Sequence, residues 1–272
     1  MSQPLDIDVV AIQSQVVYGC VGNTAAVPVL QAGLLQVAQV PSIILSSTPG
    51  YPSVHGGAVP LDWFKGWLDD LLANRALRRL KAVQIGYLGE PAQVSVLGEW
   101  LERVLEVRPD LLVNLDPVLG DSDTGIYTHP GMVAGWQDLL PLATGLTPNA
   151  FELGVLSGMP VDTITEVVAA GRSLMRGRVE WVIATSAAPR EWDEGEMASL
   201  IVTPADSTWV RHERVDSPVK GTGDMFTAGI TRGLLEGKSL DVAAMEAGAR
   251  VAAALRDSAA VDSEELVMRR RL

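Results

Sequence analysis

Short apolar runs of strand length alternate with longer stretches of helical spacing along almost the whole chain. That alternation restricts the fold to a mostly parallel sheet covered by helices on both faces. The clearest strand segments are Asp8 to Ile12, Ser42 to Ser46, Ala82 to Tyr87, Leu111 to Leu115 and Trp181 to Thr185. Between them the spacing predicts helices from Asn23, as N-cap, to about Val37, from Pro60 to Ala73 and from Pro91 to Val107. Further on, Met197 to Val202 and Thr208 to Val215 flank a Thr-Pro-Ala-Asp-Ser turn and predict a hairpin that adds antiparallel strands at one edge. Two more helices are predicted, Thr222 to Glu236 and Asp241 to Leu255. The fold class is therefore α/β, and 272 residues with 47% hydrophobic content suit one domain covering 1–272.

A net charge of -12 argues against a nucleic-acid partner, because duplex binding needs Lys and Arg to neutralise phosphates. A phosphate ester must then be held locally, by backbone amides, a metal ion and a few cations. The single cysteine, Cys20, excludes an internal disulfide and a Cys-rich zinc site, which suits a reducing compartment such as the cytoplasm. The first residues carry no basic segment followed by an apolar run, and no stretch offers about twenty uninterrupted apolar residues, so no membrane span is expected. Arg269-Arg270-Arg271 reads as a solvated helix end. His55, His129 and His212 are scattered without ligand spacing.

The strongest local signal is Gly221-Thr222-Gly223-Asp224 entering an apolar helix. Glycines turn the backbone tightly and leave its amides uncovered, and the helix start adds positive partial charge, so the turn suits an oxyanion or a transferring phosphoryl group. Asp224 in the first turn is placed to take a proton from an attacking hydroxyl, or else simply caps the helix together with Thr222. Gly233 to Ser239 imitates a P-loop but has one residue too few between its glycines and follows a helix, so Gly237 reads as a helix C-cap. A second signal is Asn114 to Asp121, where a buried strand ends in Asp116 and Asp121 across a Pro and Gly turn, hard oxygen ligands suited to Mg²⁺. Thr147 to Glu152 opens a further helix, with Asn149 and Glu152 readable as site residues or as a capping pair.

Together these segments resemble a known family. Gly221 to Asp224 resembles the GTGD anion-hole motif of ribokinase-like kinases. Asp116 to Asp121, with Thr147-Pro148-Asn149 and Glu152, resembles the DPVLGD and TPN-x-x-E segments of pyridoxal kinases. Ile12 to Asn23 resembles that family's IQSHVVYGHVGN signature, and Gly86-Tyr87-Leu88-Gly89 its SGYLG. The resemblance runs from about Val9 to Leu255, with motifs in the family's order.

The resemblance implies a ribokinase-like fold, usually homodimeric, that transfers the γ-phosphoryl group of ATP to the 5′-hydroxyl of pyridoxal, pyridoxine or pyridoxamine. It implies Asp224 as base, with the amides of Gly221, Thr222, Gly223 and Asp224 stabilising developing charge. Ser14, Val21, Thr48 and Tyr87, with Asp224, would contact the vitamer. Asp116, Tyr127, Asn149, Glu152, Thr185, Ser186, Lys220 and Thr222 would serve ATP, and Asp116, Asp121 and Glu152 would act around Mg²⁺, partly through water. The 120–130 loop would cover the nucleotide. A requirement for a monovalent cation such as K⁺ stays open. So does Lys220, either a point charge for phosphate or an ordinary exposed lysine.

Two departures bear on the acceptor. Leu45 to Pro52 is shorter than the family's segment after the second strand, and Gln15 and Cys20 replace signature histidines. Neither change touches base or metal chemistry, so phosphoryl transfer is expected to survive while ring recognition differs. Other acceptors of the same fold, hydroxymethylpyrimidine or a sugar, remain alternatives, as does a pyridoxal-binding protein without turnover. Cys20 is expected to be a small packed residue more than a reactive thiol.

Overall fold

The computed structural model describes residues 5–74, 76–192 and 195–268, so the Arg269-Arg270-Arg271 tail lies outside the described residues. The strands are β1 (Val9–Tyr18), β2 (Val37–Ser47), β3 (Gly56–Ala58), β4 (Ala82–Ile85), β5 (Leu112–Leu115), β6 (Gly120–Asp121), β7 (Gly125–Ile126), β8 (Gly145–Leu146), β9 (Trp181–Thr185), β10 (Glu196–Val202) and β11 (Ser207–Glu213). The helices are α1 (Asn23–Gln31), α2 (Leu61–Ala73), α3 (Pro91–Val107), α4 (Met132–Leu139), α5 (Ala150–Ser157), α6 (Ile164–Ser173), α7 (Thr222–Leu235) and α8 (Leu240–Ala260).

Among the described residues nine strands form one sheet in the order β11-β10-β9-β8-β5-β4-β1-β2-β3, and β6 with β7 forms a separate small hairpin. The pairs from β2 through β1, β4, β5 and β8 to β9 are all parallel. Both edges are antiparallel, β3 on β2 at one end and β10 with β11 beyond β9 at the other. Alternation along the central strands sends Val10, Ile12, Val83 and Val113 into a core shared with α2 to α6. Their neighbours Val9, Ala11 and Ala82 point the other way, into a core shared with α1, α7 and α8. Burial on both faces explains why these strands are nearly continuous apolar runs.

Several boundaries differ from the sequence expectation, among them the end of α8, which runs to Ala260 and not Leu255. Helix α1 ends at Gln31, not near Val37, because the chain turns through Gly33 and Leu34 at φ 60, and Val37 already pairs with Val9. Strand β2 consequently starts five residues before Ser42 and runs through Pro41. That proline sits opposite Gln13, where the β1–β2 register shifts, an irregularity at which a missing N–H is tolerated. Strand β1 continues to Tyr18, so the signature segment is a strand end and not wholly a loop. No helix among the described residues is long and apolar enough to cross a membrane.

Candidate active site

The site forms where the strand order reverses. The chain passes from β1 to β2 on one side and returns to β4 on the other, opening a crevice at the carboxyl ends of β1 and β4. Ser14 occupies the register shift of β1, between Gln13 and Gln15, which re-aims a side chain out of the regular alternation. Thr48, just past β2, is buried and its N–H donates to the Tyr18 carbonyl at 3.2 Å. The half-buried Tyr87 follows β4, its carbonyl accepting the Ser42 hydroxyl at 2.6 Å. Val21 is half-buried in the loop from Gly19 to Gly22 that leads into α1.

Gly221 adopts φ 92 at the N-cap of α7, and a side chain there would collide with the Cys20 carbonyl oxygen. No side chain caps this helix, so its first-turn amides at Thr222, Gly223 and Asp224 remain available to an anion. Asp224 instead reaches back across the crevice: its Oδ2 accepts the Gly22 N–H at 2.8 Å, from a residue 202 positions away. Burial pushes the Asp224 carboxyl up to about 6, while the Gly22 N–H works in the opposite direction. The capping alternative for Asp224 thus finds no bond to support it.

Asp116 leaves the end of β5, buried, with its N–H on the Ile85 carbonyl at 2.9 Å. A side-chain carbon at Gly223 would lie 3.5 Å from Asp116 Oδ2, which places this carboxylate against the anion turn. Burial, then the charges of Glu152 and Asp224, hold the Asp116 carboxyl well above the usual range, opposed by a hydrogen bond from Thr227. Thr227 in turn shares a 2.8 Å bond with the Thr147 hydroxyl. Sequence reasoning missed Thr227, although it lies three residues after Asp224 on the same helix and so on the same face.

Asn149 and Glu152 form a capping box at the start of α5. Glu152 Oε2 accepts the Asn149 N–H at 2.9 Å, and Oε1 accepts those of Leu119 at 2.9 Å and Gly120 at 3.5 Å. Burial raises the Glu152 carboxyl to about 7 against these amides. The Asn149 side-chain N–H donates to the Gly120 carbonyl at 2.8 Å, and Asn149 bridges Thr185 in the sheet. Ser186, next along, is held at φ 52. Asp121 serves its own hairpin: Oδ1 accepts from Thr124 N–H and hydroxyl, both at 2.8 Å, and Oδ2 stands 3.6 Å from the exposed Lys220 ammonium. Burial would raise the Asp121 carboxyl, but Thr124 and Lys220 together bring it below the usual value. Tyr127, beyond the β6–β7 hairpin, is 54% exposed.

No three His, Cys, Asp or Glu side chains among the described residues converge to ligate a metal directly. The repulsion among Asp116, Glu152 and Asp224 is nonetheless what a divalent cation holding its own waters relieves, so the donor set fits Mg²⁺ bound through one or two carboxylates. Gly237 takes φ 82 just past the Glu236 C-cap of α7, a helix stop. The Cys20 thiol, buried and flanked by the charges of Asp224 and Glu265, is pushed up to about 12, which makes it a poor nucleophile.

The sequence model of the phosphomethylpyrimidine kinase family matches residues 6–268. A protein of Bordetella bronchiseptica named pyridoxine/pyridoxal/pyridoxamine kinase is 53% identical over 266 residues, covering 97% of this chain and 94% of its own. The chain belongs to the pyridoxal kinase family. A more distant member, pyridoxal kinase PdxY of Burkholderia mallei, is 32% identical over 241 residues, covering 87% of this chain and 83% of its own. Among solved structures, the pyridoxal kinase of Leishmania donovani in complex with ADP and pyridoxamine superposes with a TM-score of 0.85 at 25% identity, covering 94% of this chain and 88% of its own. The ribokinase-like α/β fold expected from the motifs is the one observed.

Proposed function

We propose that this member of the pyridoxal kinase family transfers the γ-phosphoryl group of ATP to the 5′-hydroxymethyl group of pyridoxal, pyridoxine and pyridoxamine, in the cytoplasm. The relatives' names support the reaction class and the vitamers, and the ADP complex of the Leishmania neighbour supports the nucleotide. One observation carries the residue-level reading: the 2.8 Å bond from Gly22 to Asp224 ties the acceptor-side loop to the glycine turn. Asp224, with its carboxyl at about 6, is mostly ionised at neutral pH and takes the proton of the incoming hydroxyl. The turn from Gly221 to Gly223 presents its amides to the charge that develops on the phosphoryl group. Ser14, Val21, Thr48 and Tyr87 line the vitamer side. Asn149, Thr185, Ser186, Tyr127, Lys220 and Thr222 lie toward ATP.

Asp116 would hold Mg²⁺, with Asp121 and Glu152 acting through water; when bound, the ion neutralises phosphate charge. Because both Glu152 oxygens already accept backbone N–H groups, its main part is to fix the Leu119-Gly120 turn beside Asp116. A monovalent cation such as K⁺ near this carboxylate cluster would serve the same neutralising end. We also propose a homodimer, for which sedimentation equilibrium should give twice the 29.0 kDa chain mass.

The test is steady-state turnover with ATP against the three vitamers, hydroxymethylpyrimidine and a sugar panel. Higher kcat/KM for the vitamers is expected. A preference for a sugar would overturn the acceptor, and vitamer binding without any turnover would replace the kinase by a non-catalytic binder.

A further inference from the structure

The segment after α8 belongs to none of the motifs, yet it closes over the acceptor side of the crevice. Ser258 anchors it: the Ser258 hydroxyl accepts the Val267 N–H at 2.8 Å, and the Ser258 carbonyl accepts that of Ser263 at 3.0 Å. Leu266 is buried in the core shared with α1, α7 and α8. The Ser263 hydroxyl also accepts the Glu265 N–H at 3.1 Å and donates to the Glu265 carbonyl at 2.9 Å. Glu265 is thereby held with its side chain over the loop from Gly19 to Gly22.

Its carboxylate gathers two donors. Oε2 accepts the Cys20 N–H at 3.1 Å and the Thr48 hydroxyl at 3.1 Å. Tyr51 packs edge-on to Tyr18, with ring centres 5.6 Å apart. Position 19 has no room for a side chain: at φ 104, its first carbon would strike Thr48 Oγ1 and lie 2.8 Å from both Glu265 oxygens. The loop is therefore gripped from two directions, at Gly22 by Asp224 and at Cys20 by Glu265.

The bond to Glu265 fixes the polarity of Thr48. A threonine hydroxyl has one proton, and here Glu265 takes it, so only the lone pairs of Thr48 Oγ1 face a ligand. We propose that Glu265 is a positioning residue for acceptor recognition: it sets Thr48 Oγ1 as a pure acceptor, which selects ring substituents that donate a hydrogen bond. The inference rests on the reading that Thr48 lines the vitamer pocket.

Kinetics with pyridoxine, 3-deoxypyridoxine and 4-deoxypyridoxine test it. Glu265→Ala should raise the pyridoxine KM about tenfold, the scale of one hydrogen bond, and leave the ATP KM unmoved. Thr48→Val should add little in that background, and one deoxy analogue should be insensitive to both substitutions. Glu265→Gln keeps an acceptor oxygen for Cys20 and Thr48, so it should restore the parental KM. A rise in both KM values together, full additivity with Thr48→Val, or equal sensitivity of all three acceptors would overturn the proposal. If Glu265→Ala does not fold, Thr48→Val with the two deoxy analogues reads the same oxygen. A parent enzyme active on pyridoxine with an unmoved KM in Glu265→Ala defeats this inference alone; a parent inactive on every vitamer defeats the kinase reading as well.

Discussion

Two acidic side chains at two helix starts are used in opposite ways. At α5, Glu152 is buried and its oxygens accept three backbone N–H groups, from Asn149, Leu119 and Gly120. At α7, Asp224 caps nothing of its own helix and accepts a single N–H, from Gly22 on the opposite wall. Glu152 has little capacity left for a substrate and holds a turn in place. Asp224 keeps lone pairs that no hydrogen bond occupies, as the base proposed above requires. The difference teaches that the partners of a carboxylate, more than its position in a motif, separate chemistry from scaffolding. Asp116 stands between the two, buried beside both charges with one hydroxyl partner, Thr227.

The largest expected effect follows from the free carboxylate. Asp224→Ala should lower kcat by roughly two to four orders of magnitude, the range of a positioned base, with ATP binding by calorimetry little changed. Unchanged turnover would erase the distinction from Glu152. Glu152→Ala should instead appear in denaturant unfolding, where three buried amides left without an acceptor cost at least about 3 kcal/mol. If that variant keeps its stability and loses only activity, the scaffolding role is wrong. For Asp116→Asn, the Mg²⁺ needed for half-maximal rate should rise about ten- to hundredfold, and superimposable magnesium titrations would remove it from the metal site.

The smallest effect is in pH. The Glu152 carboxyl is raised to about 7 in the folded chain from 4.5, so between those values the folded state binds more protons than the unfolded one. Its contribution to stability is therefore fully present below about pH 4.5, declines as pH rises to about 7, and is level above. Unfolding free energies measured across that window should fall with pH in the parent and fall less steeply in Glu152→Gln, the remaining slope coming from Asp224 and Asp116, whose carboxyls burial also raises. Asp224, near 6, predicts the mirror image in kinetics, with kcat/KM falling below about pH 6 as the base takes up its proton.

Much of the architecture was readable because burial on both faces writes itself into continuous apolar runs, and because glycine turns and strand-end acids sit where α/β folds collect ligands. The readings failed where local signals conflict with pairing. Leu34 and Leu35 extend the apolar pattern of α1, but Val37 is already claimed by Val9, and Pro41 hides the first half of β2. Motif reading also could not say whether Glu152 capped or coordinated, since a capping box and a metal ligand share the same residue types; only the hydrogen bonds separate them. Glu265 gave no signal at all. Its importance arises from a turn built by Ser258 and Ser263, which brings it to Thr48 across 217 positions of sequence.

The Gly22 to Asp224 contact also bears on how the chain matures. A chain emerging from the ribosome can lay down β1, β4 and β5 and their flanking helices while α7 is still unsynthesised, and closing so long a loop comes late in any folding route. Turnover would then report assembly of the last helices, because the Gly22 to Asp224 contact forms only once α7 has docked.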